Sequence, residues 1–302
     1  MSEPYACSVC TSQQGRNIVI TGGTRGLGRL QAQQALICGA NHVTITGRPQ
    51  DKGGTPQDGI QTETELGQQY GPQRISYVQS DVRSDKDSHS LFDPTLRAAA
   101  GLPSHVHAVS LNAGIFGPAD DSRRLPALSS SDFEAVMATN CTGVFRGLRD
   151  FARAAQATGV QEPSAVLIKS IYGSGGSIFS NAGYQASKFC VDGLVKQGSV
   201  ELARSGITVN SISPGFVKTP LTAGWWKDDQ VDAIIADAHP QGTWVDGDSI
   251  ADTAQFLLRA PRSMTGVDLF VDGGVSADSV PQVSQAETLR GITDEPCCGK
   301  TA

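Results

Sequence analysis

The stretch TGGTRGLG, from Thr21 to Gly28, begins at the last residue of the β-rich run Asn17–Thr21 (NIVIT). It leads into a segment of helical composition. A glycine turn between a strand and a helix lets the backbone approach a phosphate closely, because glycine carries no side chain. The helix that follows adds unpaired N–H groups and the positive end of its dipole. The stretch therefore predicts a dinucleotide pyrophosphate site at the start of an α/β fold.

Strand-like and helix-like segments alternate beyond this turn. The predicted strands are Asn17–Thr21, Val43–Thr46, Ile75–Gln79, Val106–Leu111, Ala165–Lys169, Thr208–Ile212 and Asp268–Val271. The predicted helices are Leu27–Ile37, a segment near Thr62–Gln69, a segment near Lys86–Ala100, Asp132–Ala157 and Tyr184–Arg204. Each helix would connect two parallel strands, and connections of this kind are right-handed crossovers. The pattern therefore predicts a Rossmann-like, doubly wound parallel sheet of seven strands with helices on both faces.

Composition sets the domain organisation and excludes several classes of protein. No linker or repeat divides the 302 residues, so residues 17–274 are predicted to form a single domain. Residues 1–16 are an N-terminal extension, and residues 275–302 a tail that is flexible or lies at a subunit interface. A net charge of −6 without a basic stripe argues against nucleic-acid binding. No apolar run or leader peptide indicates a membrane or secreted protein, so we expect a cytoplasmic one.

Seven cysteines in a chain of this length do not indicate a disulfide framework. The pairs Cys7–Cys10 and Cys297–Cys298 could together form a tetrahedral zinc site. Both pairs lie in the terminal extensions, and no histidine stands at ligand spacing. We therefore expect no metal.

The TGxxxGxG spacing of the glycine turn resembles that of the classical members of the short-chain dehydrogenase/reductase family. The resemblance continues in order over roughly residues 16–274, through SDV, LNAG, TNCTG, YQASK, PGFVKTP and VDGG. It implies a nicotinamide cofactor, with SDV beside the adenine, LNAG beside the cofactor and PGFVKTP holding the nicotinamide amide. The implied cofactor-binding residues are Gly22, Thr24, Arg25, Gly26, Leu27, Gly28, Arg48, Asp81, Val82, Asn112, Ala113, Gly114, Tyr184, Lys188, Pro214, Gly215, Val217 and Thr219.

The choice of nicotinamide cofactor depends on two arginines. NAD-specific sites place a carboxylate about 20 residues beyond the glycines, where it binds the ribose hydroxyls. Here that place reads TGRPQ, with Arg48 and no acid, and Arg25 lies inside the glycine turn. Each alone could be a solvated surface arginine, but two guanidinium groups near the ribose can pair with a 2′-phosphate. We expect NADP(H).

The resemblance also implies the catalytic residues Tyr184, Lys188 and Asn140. Tyr184 and Lys188 are four residues apart and share one face of a helix. A free tyrosine is a poor acid–base group at neutral pH, and a nearby cation lowers its pKa. Lys188 also binds the nicotinamide ribose in this family, and Asn140 supports a proton relay.

The catalytic serine departs from the family spacing. The family places it thirteen residues before the tyrosine, and that position holds Ile171. However, SIYG (Ser170–Gly173) resembles the family's S-x-x-G strand end, which puts Ser170 in the catalytic place with a loop one residue longer. Ser174, farther along the loop, is the alternative. We prefer Ser170, because it ends an apolar strand, where placement is rigid.

In this family a variable lid covers the substrate, and it corresponds to about residues 220–245. All three tryptophans lie there, at 225, 226 and 244. They either form an apolar wall for a bulky, aromatic substrate or pack the lid onto the domain or a neighbouring subunit. The candidate pocket residues are Phe116, Ile178, Phe179, Trp225 and Trp226. The two longest helices resemble the family's subunit interface, so we expect a homodimer or homotetramer.

These features favour an NADPH-dependent reductase that acts on a ketone or aldehyde of a small molecule, with Tyr184 as proton donor. An NADP+-dependent alcohol dehydrogenase would use the same residues in the opposite direction. A non-redox protein, either an isomerase or cyclase or a cofactor-binding module, is a further alternative, supported by the displaced serine.

Overall fold

The structure, a computed structural model, describes residues 12–118, 121–177 and 179–278. The seven strands are β1 (Asn17–Ile20), β2 (His42–Gly47), β3 (Ile75–Gln79), β4 (Ala108–Leu111), β5 (Ser164–Ile168), β6 (Thr208–Pro214) and β7 (Asp268–Val271). They form one parallel sheet in the order β3-β2-β1-β4-β5-β6-β7. All seven predicted strands are confirmed, with ends that differ by at most two residues.

The helices are α1 (Gly26–Ile37), α2 (Pro56–Tyr70), α3 (Asp85–Phe92), α4 (Pro94–Ala99), α5 (Ser130–Met137), α6 (Gly143–Thr158), α7 (Ala182–Leu202), α8 (Ala223–Trp226), α9 (Asp229–Asp237) and α10 (Gly247–Leu258). Two predicted helices are divided. The one near Lys86–Ala100 breaks because Pro94 cannot continue α3, and Asp93 caps α4. The stretch Asp132–Ala157 contains a π-helical turn, Ala138–Thr142, between α5 and α6.

Helices cover both faces of the sheet. Ile18 and Ile20 of β1 pack in the apolar layer that contains α1 and α10, whereas Val19 packs in the layer that contains α6 and α7. A sheet buried on both faces needs continuous apolar strands rather than alternating ones, and β1 reads NIVI. The predicted Rossmann-like, doubly wound architecture is confirmed.

The crevice for a ligand is set by the winding of the chain. From β1 the chain winds outward to β3, and from β4 it winds in the opposite direction to β7. Ligands of doubly wound sheets bind where the carboxyl ends of the two central strands diverge. The two strand ends are joined there by Asn112, whose backbone N–H donates to Thr21 Oγ1 at 3.0 Å and whose Nδ2 donates to the Thr21 carbonyl at 3.0 Å.

A third apolar cluster lies beyond the carboxyl edge of the sheet and includes residues of the stretch 220–245, where the lid is predicted. Phe216 is at its centre, with ring centroids 5.7 Å from Tyr172, 5.7 Å from Trp225 and 6.0 Å from Trp244. The lid tryptophans therefore pack against the domain, which is one of the two roles considered for them. The second role, which is to cover a substrate, depends on which of these residues line a cavity.

The packed fold begins before the boundary expected at residue 17. Gln13 and Arg16 are buried, and the Arg16 guanidinium donates to the carbonyl oxygens of His107 at 3.0 Å and Glu162 at 2.9 Å. At least the last residues of the N-terminal extension are thus part of the domain. The cysteine pairs at 7 and 10 and at 297 and 298 lie outside the described residues.

A disulfide that the sequence pattern did not predict joins Cys141 to Cys190, whose Cα atoms are 5.8 Å apart. Cys141 lies in the π-helical turn directly after Asn140, and Cys190 lies in α7, two residues after Lys188. The bond therefore links the two helical segments that carry three of the four predicted catalytic residues, Asn140, Tyr184 and Lys188. Nothing in the local sequence pairs two cysteines that are 49 positions apart.

Candidate active site

A cavity of about 590 Å³ opens at the carboxyl edge of the sheet, over the crevice between β1 and β4. The predicted residues that line it are Gly22, Thr24, Arg25, Gly26, Leu27, Arg48, Val82, Asn112, Ala113, Gly114, Phe116, Ser170, Tyr184, Lys188, Pro214, Gly215, Val217, Thr219 and Trp225. Five others, Gly28, Asp81, Asn140, Phe179 and Trp226, are not part of this lining. Ile178 lies outside the described residues.

The glycine turn has the close packing that a phosphate site requires. A Cβ on Gly28 would lie 2.3 Å from the Gly22 carbonyl oxygen, and one on Gly22 would lie 2.9 Å from Ala113 Cα. Gly22 and Gly26 also have φ values of 65° and 54°, which favour glycine. Because α1 begins at Gly26, its first N–H groups face the same place. These residues fit the pyrophosphate of a nicotinamide dinucleotide.

The end of the cavity next to β2 is basic. The Arg25 side chain is 59% exposed and lies 3.5 Å from Asp58, and Arg48 Nη1 donates to the Lys52 carbonyl at 3.4 Å. Both contacts are long and leave most of each guanidinium available. The last residue of β2, Gly47, also lines the cavity, so no carboxylate occupies the place of an NAD-specific acid. The arrangement fits a 2′-phosphate on the ribose.

The Asp81 carboxylate forms an ion pair with the neighbouring Arg83 and does not line the cavity. Arg83 donates to its carboxylate from Nε at 3.0 Å and from Nη2 at 2.7 Å. Burial alone would raise the pKa of Asp81, but the hydrogen bonds and charge of Arg83 outweigh burial and lower the pKa. Ser80 and Val82, on either side, line the cavity. A contact between the Asp81 carboxylate and an adenine would therefore compete with this ion pair.

Tyr184, Lys188 and Ser170 meet on the cavity wall. All three line the cavity, the Ser170 side chain is close enough to Tyr184 to lower the pKa of that phenol, and Lys188 Nζ lies 5.4 Å from the centre of the Tyr184 ring. Lys188 Nζ also donates to the Ile168 carbonyl at 2.8 Å. Burial raises the pKa of Tyr184 to about 12, against the opposing effect of Ser170, and lowers the pKa of Lys188 to about 8. Burial is therefore the largest influence on the Tyr184 pKa in this cavity, and the lowering of that pKa by Lys188 stays a prediction.

The positions of Ser170 and Ser174 are clearly different. Ser170 is buried on the cavity wall, and its Oγ accepts a hydrogen bond from the Tyr172 backbone N–H at 3.2 Å. Ser174 is exposed and does not line the cavity. The loop turns away at Gly173, where a Cβ would lie 2.5 Å from Lys169 Cε. The extra residue is therefore accommodated after Ser170, which leaves that serine facing Tyr184.

Asn140 is fully buried and acts as a bridge. Its Oδ1 accepts from the Ile115 backbone N–H at 2.9 Å, and its Nδ2 donates to the Ile115 carbonyl at 2.8 Å and to Ser187 Oγ at 3.0 Å. These bonds tie the segment after Gly114 to α7. Among the described residues the side chain bonds to Ile115 and Ser187 and is not part of the cavity lining, so its catalytic role stays a prediction.

An aromatic wall stands beside Tyr184. The Phe116 ring centroid is 4.9 Å from that of Tyr184 and 5.1 Å from that of Trp225. All four aromatic residues predicted for the pocket, Phe116, Phe179, Trp225 and Trp226, pack in the third apolar cluster. Only Phe116 and Trp225 of these four line the cavity.

Two charged residues on the cavity wall were not predicted. Lys169 Nζ is buried between Asp192 at 2.9 Å and Asp268 at 2.8 Å. Its place directly before Ser170 could have drawn attention to it. Arg123 lies in the loop after LNAG, where no sequence pattern distinguishes it. The further residues that line the cavity without having been predicted are Thr46, Gly47, Gly53, Gly54, Thr55, Ser80, Ile115, Gly117, Thr139, Ile168, Pro220, Leu221, Thr222 and Gly224.

Comparison with known proteins agrees with this geometry. A family model described as enoyl-(acyl carrier protein) reductase matches residues 22–276. A (+)-cis,trans-nepetalactol synthase of Nepeta racemosa is 30% identical over 268 residues, which cover 87% of this chain and 94% of that protein. A 3-alpha-(or 20-beta)-hydroxysteroid dehydrogenase of Mycobacterium bovis is 30% identical over 266 residues, with 87% and 90% covered.

A solved structure, the Pseudomonas aeruginosa RhlG/NADP active-site complex, is similar with a TM-score of 0.76 and 27% identity. The match covers 89% of this chain and 99% of the chain in that structure. The family model matches over most of the chain, and strands β2 to β7 and the Tyr184–Lys188 pair lie within the matched region. The chain therefore belongs to the short-chain dehydrogenase/reductase family of oxidoreductases, which act on alcohol and carbonyl groups.

Proposed function

We propose that this protein is an NADPH-dependent reductase of a ketone or aldehyde carried by a small organic molecule. The observation that supports the proposal is the placement of two hydroxyl side chains, Ser170 and Tyr184, next to each other on the wall of the cavity. With a pKa raised to about 12 by burial, Tyr184 keeps its proton near neutral pH, as a proton donor must.

The side chains divide the work of the reaction. The hydroxyls of Ser170 and Tyr184 donate hydrogen bonds to the carbonyl oxygen of the substrate and polarise the C=O bond. NADPH, when bound at the glycine turn, supplies the hydride that reduces the carbonyl carbon. As negative charge develops on the oxygen, Tyr184 transfers its proton to it. Lys188, held by the Ile168 carbonyl, stabilises the phenolate that remains.

Ser170→Ala is expected to lower kcat by about 10²–10³-fold, because one hydrogen-bond donor to the developing oxyanion is lost. Ser174→Ala is the matched control, because that serine is on the same loop but does not line the cavity. NADPH oxidation with a panel of aryl and alkyl ketones measures both variants. A larger loss in the Ser174 variant would reverse the assignment of the serine, and no oxidation with any carbonyl would refute the reductase.

NADP(H) is supported by the basic end of the cavity and by NADP in similar solved structures. Arg48→Ala is expected to raise the Kd for NADPH about tenfold and to leave the Kd for NADH within about twofold, since one charged hydrogen bond contributes about 1.5–3 kcal/mol. Fluorescence titration measures both values. Lys52→Ala removes a neighbouring cation that does not line the cavity and is the control. Equal wild-type affinity for NADPH and NADH would contradict the NADP(H) proposal.

Two alternatives keep some support. Alcohol oxidation with NADP+ would use the same residues with Tyr184 as the base. A non-redox reaction is supported by a relative that is named a synthase. The NADPH oxidation assay separates a non-redox protein from the two redox activities, and NADP+ reduction with the corresponding alcohols compares the two redox directions.

Assembly and location follow as proposals. A homodimer or homotetramer is supported by exposed apolar residues on α6 and α7, at Phe145, Phe189 and Val200. None of the helices in the described ranges is long and apolar enough to cross a membrane. A cytoplasmic location stays a prediction, and the Cys141–Cys190 disulfide argues against a strongly reducing compartment. We likewise propose that residues from about 220 to 245 form a lid over the substrate. The tail at 275–302 is proposed to be flexible or to lie at a subunit interface.

A further inference from the structure

The cavity wall has an uneven charge. Five basic residues line the cavity, and no aspartate or glutamate does so among the residues that the structure describes. Four of the five have an assignment: Arg25 and Arg48 at the ribose end, Lys188 beside the tyrosine, and Lys169 between two carboxylates. Arg123 has none. A wall of one sign attracts ligands of the opposite charge.

The Arg123 guanidinium lacks partners of its own. Its Nε is buried and makes no hydrogen bond, and across the described ranges no ion pair reaches the group. Arginine presents its donors in a rigid planar fork, and buried donors in folded proteins have partners with few exceptions. A buried donor of a cation on a cavity wall therefore indicates a ligand that brings the acceptor.

Arg123 lines the cavity and follows, along the chain, the segment that passes the tyrosine. That segment begins after Gly114 and passes Tyr184 at Phe116, whose carbonyl accepts from Asn181 Nδ2 at 2.8 Å. Arg123 ends a short 3₁₀ turn farther along. The ribose end is built instead from the turns after β1 and β2. We therefore infer that a ligand that touches Arg123 extends beyond the reacting centre, past the aromatic wall.

We propose that Arg123 binds a carboxylate of the substrate, so that this protein acts on carbonyl compounds that combine an apolar ring or chain with an acidic group. Phe116 and Trp225 hold the apolar part, and the guanidinium pairs with both carboxylate oxygens. The identity of the molecule as a substrate rests on the proposed reductase function. The carboxylate site itself does not depend on turnover.

A pair of ligands with one difference tests the site. The acid 4-acetylbenzoate and its methyl ester share the ketone and the ring, and only the acid carries a charge. Calorimetric titration of the enzyme saturated with NADP+ measures binding of each without turnover. In the wild type the acid is expected to bind at least about tenfold more tightly than the ester, which corresponds to about 1.4 kcal/mol.

Arg123→Gln is expected to reduce this ratio to about one, and Arg123→Lys, which keeps the charge but loses the fork, to retain part of it. Arg124→Gln makes the same change of charge at the next residue, which does not line the cavity, and is expected to keep the wild-type ratio. Thermal unfolding of the three variants checks that each is folded.

The outcomes separate the carboxylate site from the reductase. Absence of an acid preference in the wild type, or a preference that Arg123→Gln leaves intact, overturns the carboxylate site. A weaker affinity of Arg123→Gln for NADP+ with an unchanged ratio assigns Arg123 to the cofactor and also overturns it. If the acid preference depends on Arg123 but neither compound supports NADPH oxidation, the carboxylate site stands while the reductase loses support.

Discussion

Tyr184→Phe is expected to lower kcat by about 10³–10⁴-fold while the Kd for NADPH stays within about twofold. General acid catalysis by a positioned side chain contributes factors of this size. The phenyl ring can keep its packing against Phe116 and Lys188, so the change removes only the hydroxyl that donates the proton. Single-turnover NADPH oxidation measures the rate, and calorimetry measures the binding.

Tyr172→Phe is the matched control for this prediction. Tyr172 is as deeply buried as Tyr184 and lies near the same loop, but its hydroxyl bonds to Ser177 at 3.3 Å and the residue does not line the cavity. Its kcat is expected to stay within about threefold of the wild type, because no proton passes through it. If Tyr184→Phe kept a comparable rate, Tyr184 would not be the proton donor.

Lys169→Met is expected to lower the free energy of unfolding by about 3–5 kcal/mol. Removing one partner from a buried ion pair leaves the other charge uncompensated, and here Asp192 and Asp268 would both lose the ammonium group. Ser211 and Ser213 would still donate to Asp268, which limits the loss. Urea unfolding followed by circular dichroism measures the change.

The stabilisation that Lys169 contributes is expected to depend on pH in one direction. Burial alone would lower the pKa of Lys169, but Asp268 and Asp192 outweigh burial and raise it. A raised lysine pKa contributes its full stability below the unfolded pKa of about 10.4, and the contribution is lost as pH rises through the folded pKa. The difference between Lys169→Met and the wild type is therefore expected to be constant from mildly acidic to neutral pH and to shrink only under alkaline conditions.

The control for Lys169 is Lys86→Met, on the exposed face of α3. An exposed substitution of this kind changes stability by about 0.5 kcal/mol or less. If Lys169→Met were as stable as this control, the ion-pair network would not be needed to hold β5, β7 and α7 together.

The fold could be predicted because the local and global patterns agree. The central strands β1, β4 and β5 are short, mainly apolar runs, and a sheet buried on both faces requires such runs. The break at Asp93–Pro94 could also have been recognised, since proline removes a helical hydrogen bond. The π-helical turn at 138–142 could not, because its residues also suit an α-helix.

The site could be predicted only where one segment carries both the residue and its role. The glycine turn and the Tyr184–Lys188 pair are of this kind, and the structure brings them to one cavity. Asp81 is different, because its pairing with Arg83 depends on side-chain orientation. The burial that raises the pKa of Tyr184 comes from elements distant in sequence, and spacing does not reveal it. The same holds for Arg123, whose missing partners are visible only in three dimensions.

The Cys141–Cys190 bond has a consequence for handling the purified enzyme. A cross-link between distant residues typically contributes about 2–4 kcal/mol, and this one connects the segments that hold Asn140 and Lys188. Samples prepared with and without dithiothreitol would share one sequence and differ in whether this bond is present. Rates and melting temperatures from two laboratories are therefore comparable only after free thiols have been counted in each sample.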